Sequence, residues 1–214
     1  MNFLSRFIEF VLHFDTHLGA IISQYGSLTY ALLFLIVFAE TGFVLTPFLP
    51  GDSLLFTAGA FAAQGVLSVY WLWLLLFIAV LCGDNINYFM GYHLGPKVFS
   101  GGKLFHPEYL AKTKEFYAKH GKKMLVLARF VPIIRTFAPF VAGIGQMRYL
   151  TFFGFSVLGA FLWVSLFILS GYFFGNLTFV RDHFSLFIIG IMVVSLIPLV
   201  VEVVQHRRHK NKFK

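Results

Sequence analysis

The sequence predicts an all-α polytopic membrane protein. Three observations carry that: a strongly apolar composition, long uninterrupted apolar runs, and charges set inside other apolar stretches that prolines break. Hydrophobic residues make up 58% of the 214 residues, charged residues only 12%, and the mean hydropathy is +0.80. A soluble domain carries about 25% charged residues, so this chain lacks the polar surface that water requires. Its 29 Phe suit contact with lipid. The length fits one membrane domain over residues 1–214, with little left for a soluble module. No basic cluster precedes a short apolar core at the N-terminus, so no signal peptide is expected.

Taken in order, residues 1–24 place Phe3, Phe7, Phe10, Val11, Phe14 and Leu18 on one helical stripe, opposite Asn2, Arg6, Glu9, His13 and His17. That is an amphipathic helix for the membrane interface. Residues 28–62 are apolar but broken by Pro47 and Pro50, with Glu40 and Asp52 inside. Residues 66–94 are long enough to span a hydrocarbon core, which needs about 20 residues. Tyr70, Trp71 and Trp73 anchor the start of this run. A second interfacial helix occupies 106–120, with Glu108/Lys112 and Glu115/Lys119 at i,i+4 and Gly121 as its stop. Residues 122–146 mirror 28–62, with Pro132 and Pro139 as breaks and Arg129 and Arg135 as charges. Two further spans follow at 149–175 and 184–204, then a basic tail at 205–214.

Broken backbone at membrane depth survives only where it is buried in protein or lines a wet cavity. Residues 28–62 and 122–146 are therefore expected to be re-entrant hairpins. The pattern repeats: Ala58-Gly59 and Ala142-Gly143 end the hairpins, and Gly91-Tyr92-x-x-Gly95 and Gly171-Tyr172-x-x-Gly175 close the spans that follow. Each unit reads interfacial helix, hairpin, span, and a final span completes the chain. Seven Lys between Lys97 and Lys123, and five basic residues between Arg207 and Lys214, mark two cytoplasmic regions. The net charge of +8 thus bears on topology rather than on nucleic acid, which needs a basic face on a folded module. The two units are then inverted relative to each other, as in many secondary transporters. The N-terminus falls outside and the C-terminus in the cytoplasm.

The chemistry sits in the hairpins. A charge at the bilayer centre costs about 2.5–3.5 kcal/mol on insertion scales. Glu40, Asp52, Arg129 and Arg135 are tolerable only if they face each other or water. Opposed hairpins would bring the two carboxylates to the two guanidiniums. One reading is a static set of ion pairs locking the hairpins together. The other is that the arginine forks bind a phosphate while the acids balance them when the site is empty and exchange protons. Asp84 and Tyr88 lie one helical turn apart near the inner end of the first span, beside Asn85 and Asn87. They read equally as a packing cluster or as part of a proton path. The Gly91/Gly95 and Gly171/Gly175 pairs suit close helix packing, and Arg148 and Glu202 suit the interface. Cys82 is the single cysteine, which excludes a disulfide or cysteine metal site within the chain; no metal or cofactor is expected.

The segments Glu40-Thr-Gly42, Pro47-x-x-Pro50-Gly-Asp52 and Gly83-Asp84, together with Arg129-x-x-Pro132-x-x-Arg135-x-x-x-Pro139-x-x-x-Gly143, resemble the bacterial DedA family, in particular the branch that gives the family its name. The resemblance covers about residues 20–205 and extends to the VTT domain of eukaryotic lipid scramblases. It implies lipid movement across the inner membrane, of undecaprenyl phosphate or a phospholipid, driven by the proton motive force. It also implies that Glu40, Asp52, Arg129 and Arg135 are the essential charges.

Residues and resemblance together lead to a proton-linked flippase for an anionic lipid phosphate, with Arg129 and Arg135 on the headgroup and Glu40, Asp52 and Asp84 pairing or carrying protons. The implied partners are the lipid, protons and the membrane, with room for a homo-oligomer. A proton-coupled carrier of a small solute or ion is the alternative. A lipid phosphatase fits less well: Pro50-Gly-Asp52-Ser53 has the look of a phosphate-handling loop, but no His is placed beside it as a base.

Overall fold

A computed structural model describes residues 26–42, 51–100 and 123–175, with residues 177 and 190 besides. The expected interfacial helices at 1–24 and 106–120, the span at 184–204, the tail at 205–214, and Pro47 and Pro50 lie outside the described residues. Six helices and no strand occur among the described residues: α1 Leu28–Gly42, α2 Gly51–Ala63, α3 Val69–Ser100, α4 Met124–Ala128, α5 Pro132–Ile144 and α6 Tyr149–Phe174.

Length separates these helices into two kinds. The apolar part of α3, Val69–Leu94, and the whole of α6 each run 26 residues. At 1.5 Å per residue each reaches about 39 Å, more than a ~30 Å hydrocarbon core. The 15 residues of α1 and the 13 each of α2 and α5 reach only about 20 Å. Proline sets the break in the second hairpin. Val131, which precedes Pro132, is extended at φ −116° and ψ 109°, and Pro132 opens α5. Inside α5, Pro139 has no N–H to offer the Arg135 carbonyl one turn back.

The start of α1 lies beside the start of α3. The Ser68 backbone N–H donates to the Tyr30 hydroxyl at 2.6 Å, joining the start of α1 to the residue just before α3. Gly65 makes the intervening turn with φ 78°, a conformation open to glycine. The two long helices run antiparallel. Trp73 Nε1 donates to Ser165 Oγ at 2.9 Å, and Tyr149 Oη donates to Asn85 Oδ1 at 2.9 Å near the opposite ends.

Packing is reciprocal. α1 packs on α3 and α4 on α6, whereas α2 packs on α6 and α5 on α3. Each cross-packing is a glycine crossing. A Cβ on Gly59 would strike the backbone of Ile168 and Tyr172, and one on Gly171 would strike that of Phe56 and Ala60. Gly143 meets Tyr88 and Tyr92 in the same way, and Gly91 meets Phe140 and Ile144. These close approaches are why Gly91 and Gly171 recur in the span motifs: small residues let helix backbones touch where dispersion, not water exclusion, drives association. Leu33, Val37, Leu55, Leu72, Leu76, Val164 and Ile168 fill the core between hairpin and spans. The outer faces of α3 and α6 expose Leu74, Ile78 and Ile86, and Leu158, Phe161 and Leu166, a continuous apolar surface suited to lipid. Tyr70 and Trp71 are exposed at the start of α3, but Trp73 turns inward to its serine rather than joining them.

Candidate functional site

Five charged side chains are buried where the helices converge: Glu40 at the end of α1, Asp52 at the start of α2, Asp84 in α3, Arg129 between α4 and α5, and Arg135 in α5. None of the five residues exceeds 8% exposure, so each charge needs a partner within the protein. Arg135 serves two acids, donating from Nη1 to Asp52 at 2.6 Å and from Nη2 to Glu40 at 2.5 Å. Its guanidinium lies 4.5 Å from the centre of the Trp163 ring, a cation–π contact. Arg129 donates from Nη2 to Asp84.

The expected match of two hairpin acids with two hairpin arginines is therefore corrected. Both acids go to Arg135, and the second arginine takes its carboxylate from the spanning helix. The expected position of Asp84 changes as well. It is the sixteenth of the 26 residues from Val69 to Leu94, about 4 Å from the middle of that helix rather than near its inner end. Its neighbour in the sequence motif, Tyr88, does not bond it: the Tyr88 hydroxyl donates to the Met147 carbonyl at 2.5 Å. Asn85 donates to the Leu81 carbonyl at 2.7 Å. Asn87 ties the two hairpins together, donating to the carbonyls of Thr136 at 2.6 Å and Thr41 at 3.3 Å.

Glycines admit these charges to the helix surfaces. The Glu40 carboxylate rests on Gly51, where any Cβ would lie 2.6 Å from its carboxyl carbon. The Arg129 side chain crosses α6 at Gly159, with Nε 3.3 Å from where a Cβ would stand. Two side chains that the sequence reading did not single out complete the site, both from α6. Ser156 Oγ donates to Asp84, and Trp163 Nε1 donates to Asp52 at 2.9 Å. With Gly159 and Ala160 they occupy positions i, i+3, i+4 and i+7 of one helix face. A small-and-polar stripe at that spacing in an otherwise apolar span is the signal that could have revealed them.

Three carboxylates thus meet two guanidiniums, one negative charge in excess if all are ionised. Arg129 Nη1 and Arg135 Nε are buried N–H groups with no hydrogen-bond partner among the described residues, and Glu40 Oε2 is a matching unpartnered acceptor. Unused donor capacity on arginine forks suits an oxyanion. Among the described residues no group of His, Cys, Asp and Glu is arranged to hold a metal.

Comparison with known proteins places this arrangement in a family. The VTT domain model matches residues 49–173, which include Asp52, Asp84, Arg129 and Arg135. The chain is 51% identical over 212 residues to protein DedA of Escherichia coli K12, covering 97% of both chains. It is 40% identical over 197 residues to an uncharacterised membrane protein of Mycobacterium tuberculosis, covering 87% of this chain and 84% of that one. Inner membrane protein YqjA of Escherichia coli K12 is 32% identical over 178 residues, or 82% of this chain and 80% of its own. No solved structure matches the chain. Helical and without strands among its described residues, with two long apolar helices and these relatives, the chain belongs to the DedA family of VTT-domain proteins.

Proposed function

We propose that this protein is a carrier, not an enzyme, that moves an anionic lipid phosphate across the bacterial inner membrane in a cycle linked to the proton motive force, with undecaprenyl phosphate as the leading cargo and a phospholipid as the other. The observation that carries this reading is the buried cluster of Glu40, Asp52, Asp84, Arg129 and Arg135 between the two long helices. Charges at that depth are expensive, and a protein that needed only packing would fill the space with apolar side chains at no loss of stability. A phosphate can replace carboxylates on an arginine fork because it offers the same oxygen geometry. Each carboxylate it displaces then needs a proton, and that exchange couples headgroup transfer to the proton gradient.

The membrane topology belongs to the same proposal. Hairpins 28–62 and 122–146 enter and leave by the same face, the two repeats are inverted, the N-terminus is periplasmic, and the multi-pass chain ends in the cytoplasm. Support comes from arms too short to cross a bilayer, the antiparallel course of α3 and α6, and the reciprocal packing of each hairpin on the other unit's long helix. The lipid tails would stay in the bilayer while the headgroup passes between the hairpins.

Reconstitution in liposomes tests the function. Labelled undecaprenyl phosphate should cross faster with the protein than without it, faster still under an imposed proton gradient, and at the protein-free rate with Arg129→Ala or Arg135→Ala. Transport of a soluble anion with no effect on the lipid would instead establish the small-solute carrier.

A further inference from the structure

The two hairpins are joined by links of different kinds. Arg135 on α5 reaches Glu40 on α1 and Asp52 on α2 through ion pairs. Asn87 on α3 reaches both hairpins through a neutral amide, one nitrogen donating to the carbonyls of Thr136 and Thr41. Those carbonyls belong to the residues that directly follow Arg135 and Glu40 in the chain. Two carbonyls can accept only from the NH2 end of an amide, which fixes its orientation. Asn87 is 0% exposed, and its Oδ1 has no hydrogen-bond partner among the described residues. An unmade acceptor at that depth is costly, and a leucine of similar size would fill the space without it. The two arms of the bridge are unequal, 2.6 Å to Thr136 and 3.3 Å to Thr41. The helices behind them differ in the same sense. α5 meets α3 backbone to backbone, so that a Cβ on Gly91 would lie 2.1 Å from the Phe140 carbonyl oxygen. The end of α1 sits less tightly: a Cβ on Gly42 would lie 3.3 Å from the Gly83 Cα, and what a Cβ on Gly83 meets first is the Thr41 hydroxyl, a side chain. The Thr41 carbonyl is also one of the last four of α1, which no N–H of that helix can reach.

We infer that Asn87 is a latch: its amide holds the end of α1 to α5 in the empty protein, and the Thr41 arm opens to admit a phosphate headgroup between the hairpins. This rests on the headgroup site proposed above and names a neutral contact that opposes its opening. Each ion pair broken in that cycle is replaced by a phosphate contact or a proton. The Thr41 carbonyl gains no such replacement from the phosphate, since both are acceptors. The bridge therefore biases the protein toward the closed arrangement. A ligand that binds only the open arrangement has its apparent affinity lowered in proportion to the fraction of molecules that are open. Weakening the latch raises that fraction, and binding tightens. A residue that served packing alone would, on replacement, leave binding unchanged or weaken it. The sign of the change separates the two roles.

The test titrates the purified full-length protein in detergent with farnesyl phosphate, and in parallel with inorganic phosphate. Wild type is compared with Asn87→Leu, which keeps the bulk and removes the donor. It is also compared with Gly83→Ala, whose methyl would meet Thr41 and Gly42 and press the end of α1 away from α3. Both variants should bind about fivefold more tightly than wild type, the worth of one buried hydrogen bond. A second readout follows the latch itself. With Cys82 replaced by Ser, Thr41→Cys places a thiol at a position that is 2% exposed in the empty protein. Its reaction with N-ethylmaleimide should speed up when farnesyl phosphate binds, and without ligand when Asn87→Leu is added. Farnesyl phosphate bound without inorganic phosphate assigns the ligand to a lipid headgroup, equal binding of both assigns it to phosphate as such, and the tightening is expected in either case. Wild-type binding together with unchanged or weaker binding by Asn87→Leu overturns the latch and leaves the headgroup site standing. Should Asn87→Leu fail to fold, Gly83→Ala decides in its place. Absence of binding to either probe, by wild type and both variants, overturns the site and the latch with it.

Discussion

Replacing Arg135 by Ala removes the one cation that serves two acids. Glu40 and Asp52 are 1% and 8% exposed, so neither can turn to water. Removing one partner of a buried pair costs about 3–5 kcal/mol. Protonation sets a ceiling on that cost. Neutralising a carboxyl of ordinary acidity at pH 7.5 takes roughly 4 kcal/mol, and each unit of lower pH reduces this by about 1.4 kcal/mol. Asp52 keeps the Trp163 N–H at 2.9 Å, and Glu40 keeps its seat on Gly51, so one penalty of this size is expected rather than two. Arg135→Ala should therefore lose about 3–4 kcal/mol of unfolding free energy at pH 7.5 and about 1–2 kcal/mol at pH 5.5. The sign is fixed by the chemistry: as pH falls, the orphaned acid takes a proton and stops needing the arginine. Unfolding in mixed micelles by denaturing detergent, followed by Trp fluorescence at the two pH values, measures both numbers. Adding Glu40→Gln to Arg135→Ala should recover part of the loss at pH 7.5. A loss below about 1 kcal/mol at pH 7.5, or a loss that does not change with pH, would refute the account of an electrostatically essential pair.

Three further outcomes follow from the same geometry. A double-mutant cycle on Asp84→Asn and Arg129→Gln should give a coupling energy above about 1.5 kcal/mol, as for other close buried charge pairs, whereas Glu40→Gln with Arg129→Gln should couple more weakly because Glu40 bonds the other arginine. Gly171→Ala places a methyl against the backbone of Phe56 and Ala60 and should cost about 1–3 kcal/mol, while Gly154→Ala, with nothing within 4 Å of its new methyl, should be neutral or stabilising by about 0.5–1 kcal/mol. Cys82, the single cysteine, is exposed on α3 two residues before Asp84, so a nitroxide attached there in a bilayer should be accessible to oxygen and shielded from a polar nickel relaxant; the reverse would remove the charges from mid-membrane depth.

Much of this was legible in the residues because a membrane makes charge and broken backbone conspicuous. The long runs that became α3 and α6, the prolines at 132 and 139, and the five charges all stand out against an apolar background for that reason. Which acid meets which arginine was not legible. It depends on the rotation of each helix about its axis, and the glycine crossings that fix this rotation join residues about 50 apart in one case and about 110 apart in the other. Asp84 pairs with a charge as expected but sits deeper in its span than expected, and its motif neighbours Asn85, Asn87 and Tyr88 share a short stretch but point to different partners. Ser156 and Trp163 were overlooked because a lone serine or tryptophan is unremarkable in an apolar span. Their meaning comes only from the carboxylates opposite, on segments 72 and 111 residues away.

The central claim is that Arg129 and Arg135 receive a lipid phosphate, and the most direct measurement is the structure of the protein in a lipid nanodisc supplied with undecaprenyl phosphate. The account predicts a headgroup between the hairpins, its phosphate oxygens about 2.7–2.9 Å from the guanidinium nitrogens of Arg129 and Arg135. A lipid ordered only on the outer faces of α3 and α6, beside an arginine–carboxylate network unchanged from the empty protein, would contradict it.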